Sequence, residues 1–232
     1  MASYALGRVR TAETGNPITF SYTVGFGDKV IGLLLKVDGA ADRTGGAPTL
    51  GPHTLLQANT TQKAAASPEA SAEAWYVVNP QQGTHTFTIP NSGGLTIRST
   101  VVIGRANAGL RFAVASGGNA TGTNPTPGTV PFGSGMFNAG GIGFAIVASG
   151  AQSWAPSAQA GTIIANTDDG ATGGGEQYTV TVPGAGATLS WTFGASDDYG
   201  AVSMYFAENP GNALQNYMRQ KAGSGVSVGG IG

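Results

Sequence analysis

Few residue types in this chain could take part in catalysis, and they are scattered. The sequence holds two histidines, His53 and His85, and no cysteine. A histidine acts as a general base or a metal ligand only beside a partner that orients it, and no such partner recurs at a suitable spacing. In an alternating segment His85 shares a strand face with Phe87 and Ile89, which favours a partly buried structural role. His53 follows Gly51-Pro52 and is predicted to lie in a loop.

Two pairs of neighbouring carboxylates, Asp168-Asp169 and Asp197-Asp198, are the next candidates. Paired carboxylates serve glycoside hydrolysis or bind Ca²⁺. Residues 166–170 resemble part of a calcium loop, but they lack the ligand spacing and the final glutamate of such a loop. Because both pairs lie in glycine-rich segments, we interpret them as solvated turns and predict no metal site.

The motifs for nucleophiles and phosphates lack their structural context. Gly133-Ser134-Gly135 does not sit between a strand and a helix, as a nucleophile elbow would. The glycine clusters at residues 173–175 and 140–143 are not followed by the Lys-Ser/Thr of a phosphate-binding loop. The sequence therefore predicts no catalytic residue, no cofactor and no enzyme activity.

The composition of the chain limits the kinds of partner that this protein can have. The chain has 232 residues, 39 of them glycine, and only 10% are charged, with a net charge of −1. Because the cations are scattered, we expect no nucleic acid partner, and a surface with so little charge suits packing against other chains. No apolar run is long enough to span a membrane, and the first ten residues lack the apolar core of a secretory signal, so we expect no membrane partner.

The clearest succession of strand and turn patterns in the sequence lies in residues 74–104. An apolar stretch, an Asn-Pro turn, an alternating stretch, a Gly-Gly turn and a third apolar stretch follow one another. Thr84, Thr86 and Thr88 alternate with His85, Phe87 and Ile89, which is the period of a half-buried strand. This order predicts a β-meander of three consecutive strands.

The rest of the chain repeats the same pattern. Residues 18–24 alternate, whereas residues 30–37 are apolar almost throughout, which is typical of a central strand covered on both faces. About ten such strands predict an all-β, two-sheet β-sandwich of the jelly-roll type with long Gly-rich loops. Trp191 and Phe87 are predicted to lie between the sheets. The predicted loops are 38–71, 116–135 and 150–175.

The predicted organisation is an N-terminal arm at 1–16, a sandwich domain at 17–210, and a short C-terminal helix with an extended arm at 211–232. The two halves of the sandwich share an order of elements with few identities, which we interpret as the resemblance of hairpins of similar composition. In the C-terminal segment Leu214, Tyr217 and Met218 recur at helical spacing. The segment is too short and too poor in apolar groups to fold alone. We therefore predict that it binds a partner through six residues: Leu214, Tyr217, Met218, Val226, Val228 and Ile231.

Four segments resemble β-sandwich virion proteins of tailed bacteriophages: Phe-Ser-Tyr-Thr-Val at 20–24, Val-Ile-Gly-Leu-Leu-Leu at 30–35, Trp-Tyr-Val-Val-Asn-Pro at 75–80 and Gly-Thr-His-Thr-Phe-Thr-Ile at 83–89. The resemblance covers mainly residues 17–104, and the motif also recurs in bacterial surface proteins. It implies a capsid-decorating, head-fibre or tail-associated protein located in the virion. The implied partners are major capsid or tail subunits and copies of the chain itself, and no catalytic residue carries over.

Two alternative functions stay open. A carbohydrate-binding or receptor-binding module would use the three long loops to bind a host surface glycan, and a loop aromatic such as Trp154 could stack on a sugar. A glycan hydrolase would use the paired aspartates.

Overall fold

The computed structural model describes residues 3–38, 45–63, 70–92, 95–106, 109–122, 141–149, 157–158, 162–168, 175–181, 191–192 and 197–208. These residues form strands and no helix. The strands are β1 (Ser3–Glu13), β2 (Ile18–Val24), β3 (Asp28–Asp38), β4 (Thr49–Leu50), β5 (His53–Thr54), β6 (Leu56–Gln57), β7 (Gln62–Lys63), β8 (Ala70–Val78), β9 (Gly83–Ile89), β10 (Thr96–Arg105), β11 (Leu110–Gly122), β12 (Ile142–Ser149), β13 (Ser157–Ala158), β14 (Thr162–Asp168), β15 (Gly175–Thr181), β16 (Trp191–Thr192) and β17 (Asp197–Glu208).

The strands pair into antiparallel sheets that stack in layers. The central sheet has the order β1-β10-β3-β8-β6, and β7 also pairs with β8. The first outer sheet has the order β2-β9-β4-β5, and the second outer sheet has the order β11-β17-β12-β15-β14. A small sheet pairs β13 with β16. The predicted all-β fold, with antiparallel sheets packed face to face, is confirmed.

The central sheet is buried on both faces, so the described fold has three layers where two were predicted. On one face Ile31, Leu33 and Leu35 pack with Phe87 and Ile89 of the first outer sheet. On the other face the alternate residues of the same strands pack on the second outer sheet, in a cluster that includes Val30, Leu34, Tyr76, Phe144, Met204 and Phe206. This double burial explains why β3 is apolar almost throughout, as its pattern predicted.

Aromatic rings join the central sheet to the second outer sheet. Tyr76 on β8 stacks on Phe112 of β11 with ring centroids 4.5 Å apart. Phe206 of β17 meets Tyr76 edge-on at 5.4 Å. Such pairs add to the stability that burial alone provides. The two halves of the chain are therefore held together by an apolar layer.

The predicted meander at 74–104 is wrong in its pairing, although its three strands exist. β9 pairs with β2 in the first outer sheet, whereas β8 and β10 flank β3 in the central sheet. The reason lies in burial. β8 is buried along almost its whole length, while β9 buries Phe87 and Ile89 and leaves its threonines outward. Only an outer sheet accommodates a strand with one polar face.

Several segments predicted as loops or arms are strands. Residues 3–13, predicted as part of an N-terminal arm, pair with β10 at the edge of the central sheet. The loop predicted at 116–135 is strand β11 as far as Gly122, paired with β17. The loop predicted at 150–175 contains β14, paired with β15. The loop predicted at 38–71 contains four two-residue strands, β4 to β7, and the start of β8 at Ala70. Long-range pairing overrides the weak strand preference of these glycine-rich and polar sequences.

The second half repeats the strand order of the first. The order β11-β17-β12-β15-β14 corresponds, strand by strand along the chain, to β1-β10-β3-β8 with β6 and β7 on β8. The pair β13-β16 likewise corresponds to the pair β4-β9 of the first outer sheet. Shared composition would not reproduce a non-sequential order of this kind. The structure therefore favours a duplication over the coincidental resemblance inferred from the sequence.

Candidate functional site

Both histidines form hydrogen bonds to the backbone of one turn. His53 Nε2 accepts a hydrogen bond from the Gln81 backbone N–H at 2.9 Å, and His85 Nε2 donates to the Gln81 carbonyl oxygen at 2.8 Å. Both rings thus hold the backbone of a single residue in the connection between β8 and β9. Gly51 is required beside them, because its φ is +54° and a Cβ there would lie 2.6 Å from His85 Nδ1. These contacts are structural ones.

Asp168, Asp197 and Asp198 lie at strand ends and not in the turns that were predicted. Asp168 is the last residue of β14 and stands opposite Gly175, while Asp169 lies outside the described residues. Asp197 and Asp198 begin β17, opposite Gly122 and Thr121. Within the described ranges no group of three or more His, Cys, Asp or Glu residues could hold a metal ion.

Buried charges in the first half have partners that explain them. Asp28 Oδ1 accepts from Arg105 Nε at 2.8 Å, and Asp28 Oδ2 accepts from the Gly25 N–H at 2.8 Å. Asp38 is paired with both Lys36 and Arg98. The buried charges here are the Asp28 carboxylate and the Lys36 ammonium, and each has an oppositely charged partner, which is the condition under which proteins tolerate interior charge. They fix strand β3 and the turn before it.

Buried Glu73 is likewise partnered. Its carboxylate accepts from Trp75 Nε1 at 2.8 Å and from Thr61 Oγ1 at 3.2 Å. The second contact ties the segment between β6 and β7 to strand β8. Glu73 is therefore committed to holding this segment in place.

Exposed apolar side chains give the clearest candidate surface. Among the described residues, the large hydrophobic side chains that are exposed are Tyr4 (39%), Leu6 (40%), Val9 (43%), Phe26 (84%) and Leu56 (58%). Three of these five belong to β1. Within the described part of the chain, β1 has a neighbour on one side only, strand β10. An edge strand with free backbone groups and exposed apolar side chains is a template for pairing with another chain.

The two halves of β1 differ in how they present this edge. Ser3 to Leu6 pair with Arg105 to Val102 in unbroken register, and this stretch carries no charge. Beyond Leu6 the register shifts twice. There the Arg8 guanidinium lies 3.9 Å from the centre of the Phe20 ring and forms an ion pair with Glu13 at 2.6 Å. Bulges and charges blunt an edge, so the unblunted part of the β1 edge is Ser3–Leu6.

A second exposed feature is the turn between β2 and β3. Phe26 stands at its tip, and the turn is anchored by the Asp28 N–H, which donates to the Gly25 carbonyl at 3.2 Å, and by the Asp28 contacts with Gly25 and Arg105. Lys29 Nζ lies 6.0 Å from the centre of the Phe26 ring. The turn therefore holds an exposed aromatic ring on a rigid base.

The sequence alone did not identify Tyr4, Leu6, Val9 and Phe26 as exposed surface residues. The alternation of Tyr4 and Leu6 was a usable signal for a strand, but the neighbouring arginines suggested a polar arm. The residues that were predicted to bind a partner, namely Leu214, Tyr217, Met218, Val226, Val228 and Ile231, lie outside the described residues, as does Trp154. The predicted C-terminal helix and arm lie there too.

Comparison of the chain with protein-family models, with curated proteins and with solved structures finds no match. In the part of the chain that the structure describes, no helix is long and apolar enough to cross a membrane.

Proposed function

We propose that this chain is a structural protein of a bacteriophage virion, which decorates or cements the capsid, or is attached to the tail, through its terminal segments. Its partners are major capsid or tail subunits and further copies of itself. The proposal rests on the exposed edge of strand β1. A terminal strand that leaves Tyr4, Leu6 and Val9 uncovered fits a chain whose surface is completed by neighbours.

The strand order supports the same class of protein. The first half holds strands β1 to β10. When the short strands β6 and β7 are left out and the other eight are numbered 1 to 8 in chain order, the central sheet runs 1-8-3-6 and the first outer sheet runs 2-7-4-5. Apart from strands 4 and 5, which are neighbours in the outer sheet, consecutive strands thus alternate between two facing sheets, as in a jelly roll, a fold used in viral capsid proteins and in lectins. We infer that the first half is a jelly roll and that the second half repeats it.

Co-sedimentation tests the virion role. The purified chain is mixed with empty capsids, and separately with isolated tails, of the phage that encodes it. We expect the chain to pellet with one of the two at a saturating ratio. A chain that stays in the supernatant with both would overturn the proposal. Leu6→Lys should weaken the binding, while Leu56→Lys, at the opposite edge of the central sheet, should not.

A glycan-binding role is the second candidate, because Phe26 is displayed on an anchored turn. A flat apolar ring held in place is the element that proteins use to stack on the apolar face of a sugar. Screening the chain on a glycan array tests this role. Loss of a bound glycan in Phe26→Ala, with binding retained in Leu56→Ala, would support it. An array without any signal would remove the candidate.

A further inference from the structure

We propose that the turn between β2 and β3, together with Arg105 at the end of β10, is a binding site for an acidic sugar. The sugar ring stacks on Phe26, and its carboxylate meets Arg105 and Lys29. The inference deepens the glycan-binding role, the second proposed function, and rests on it for the stacking on Phe26. What it adds is the chemical class of the sugar and the two residues that select this class.

The apolar part of the site is the Phe26 ring. At 84%, Phe26 is more exposed than any other large hydrophobic side chain among the described residues. Its turn is closed by the Asp28 N–H, which donates to the Gly25 carbonyl at 3.2 Å. Just after the turn, the Asn79 N–H donates to the Lys29 carbonyl at 2.8 Å. Because this backbone is already held in place, a ligand that stacks on the ring has little backbone to order.

Arg105 is oriented by a buried carboxylate and remains partly open to solvent. Its Nε donates to Asp28 Oδ1 at 2.8 Å, and the Asp28 side chain is 2% exposed while that of Arg105 is 45% exposed. The Arg105 side chain also lies beside Gly27, the residue that follows Phe26, since a Cβ on Gly27 would be 3.8 Å from Arg105 Cδ. Within the described part of the chain its contact is made through Nε, which leaves the two Nη groups for a ligand. Such a fixed pair of donors matches the two oxygens of a carboxylate.

Lys29 provides a second cation at the ring. Its Nζ lies 6.0 Å from the centre of the Phe26 ring, and no ion pair is found for it among the described residues. The turn therefore has two cations, Lys29 and Arg105, against the single carboxylate of Asp28, which is buried. A neutral sugar would leave the surplus positive charge without a counter-charge. A carboxylate close to both cations would be attracted by them, so the charges favour an acidic sugar.

A membrane surface is the other partner that an exposed ring beside cations could meet. Stable attachment to a membrane requires more than one weak anchor. Among the described residues, the other exposed large hydrophobic side chains belong to β1 and β6 and not to this turn. One ring with two neighbouring cations fits a single sugar residue better than a bilayer.

Methylation of the sugar carboxylate tests the site, because it removes the charge and keeps the ring. Oligosaccharides that end in glucuronic acid or in sialic acid are immobilised, each beside its methyl ester, and the purified chain is passed over them. We expect at least one of the acids to bind about tenfold or more tightly than its ester, and the comparison of the two acids identifies the source of the carboxylate. Added salt should weaken the binding of the acid and not that of the ester.

Three variants assign the contacts. Phe26→Ala should reduce the binding of acid and ester below detection. Lys29→Gln should weaken the binding of the acid at least about threefold, and Arg105→Lys at least about tenfold, with the ester unchanged within about twofold. Arg105→Lys keeps a cation beside buried Asp28, so the fold is retained, but it replaces the two-pronged donor by a point charge. The matched control Arg111→Gln removes an exposed arginine of β11 and should leave the binding of the acid within about twofold.

Two outcomes would overturn the acidic-sugar site and leave the glycan-binding role standing, provided that Phe26→Ala still abolishes binding. One is equal binding of acid and ester, and the other is binding of the acid that is unchanged in both Lys29→Gln and Arg105→Lys. Absence of binding to every saccharide would remove the site and the glycan-binding role together. Pelleting with phosphatidylserine vesicles that is lost in Phe26→Ala, without selectivity among sugars, would assign the turn to a membrane instead. Co-sedimentation with particles tests the virion role independently.

Discussion

Phe87 shows how a single side chain holds two layers together. It is fully buried between the first outer sheet and the central sheet. Its ring stacks on Phe20 with centroids 4.9 Å apart, and Tyr22 approaches it edge-on at 5.8 Å. The sequence predicted this position between sheets, and the structure confirms it. Trp191, predicted alongside it, is also buried.

Replacing Phe87 by alanine should lower the free energy of unfolding by about 3–5 kcal/mol, because it removes buried area and leaves a cavity. Urea unfolding followed by tryptophan fluorescence measures the loss. The matched control is Phe26→Ala, which changes the same residue type at an 84% exposed position and should cost less than about 0.5 kcal/mol. A loss below about 1 kcal/mol for Phe87→Ala would contradict its place in the core.

Tyr205 makes the stability depend on pH in the alkaline range. Burial raises the pKa of Tyr205 to about 12 from its ordinary value of 10.0, and a hydrogen bond with Ser203 opposes part of this shift. Burial likewise raises the pKa of Tyr22, with a smaller contribution from the nearby Asp28 charge. The unfolded chain loses these protons near pH 10, while the folded chain keeps them. The folded state therefore binds more protons, and stability falls as the pH rises.

Below pH 10 the ionisation of Tyr205 should not change the free energy of unfolding. Between about pH 10 and 12 the free energy of unfolding should decline by on the order of 2 kcal/mol. Unfolding curves at stepped pH measure the decline. In Tyr205→Phe, where the proton is absent, the decline should be smaller by that amount. An identical slope in the variant and the parent would show that Tyr205 titrates normally.

At the scale of elements, the close approach of the central and second outer sheets depends on Gly32 in β3. A Cβ added there would lie 2.5 Å from Met204 Cε and 2.7 Å from Val102 Cγ2. The methionine can move its tip, but Val102 is branched at Cβ and its χ1 angle is restricted, so it cannot yield easily.

Gly32→Ala should therefore cost about 1–3 kcal/mol through overpacking. Gly27→Ala is the control, because a Cβ there meets only Arg105, at 3.8 Å from its Cδ. Combining Gly32→Ala with Val102→Ala should cost less than the sum of the two single changes, since one methyl group replaces another. Additive losses would indicate that a Cβ at position 32 does not meet the Val102 side chain on the neighbouring strand.

At the scale of the whole molecule, the layered sheets form the core of the described residues. Among those residues, the apolar clusters on both faces of the central sheet draw their members from positions 18 to 206. The segment 211–232, in contrast, is short and rich in glycine. We predict that this segment binds partner molecules.

Deleting residues 211–232 should leave the melting temperature of the monomer within about 2 °C of the parent, because a segment this short and this poor in apolar groups adds little to a core. The same deletion should abolish binding to the particle. Differential scanning calorimetry and co-sedimentation measure the two effects. A truncated chain that still binds at full occupancy would place the binding surface on the sheets instead.

The sequence by itself determined which segments are strands wherever one face alternates with the other. In residues 18–24 and 83–89 the buried side chains occur only at alternate positions. This period of two follows from the geometry of an extended chain. It also determined that β3 is covered on both faces, since an uninterrupted apolar strand has no polar face to give to water.

Only the tertiary structure decided which strands pair, how many layers there are and which edge is free. β9 lies beside β2 and not beside its neighbours in the chain, because pairing is chosen by the burial that distant segments offer each other. Residues 116–122 form a strand through pairing with β17, although their own composition favours a loop. The exposure of Tyr4 and Leu6 likewise follows from the absence of a described neighbour beyond β1, a property of the assembled sheet that no local pattern encodes.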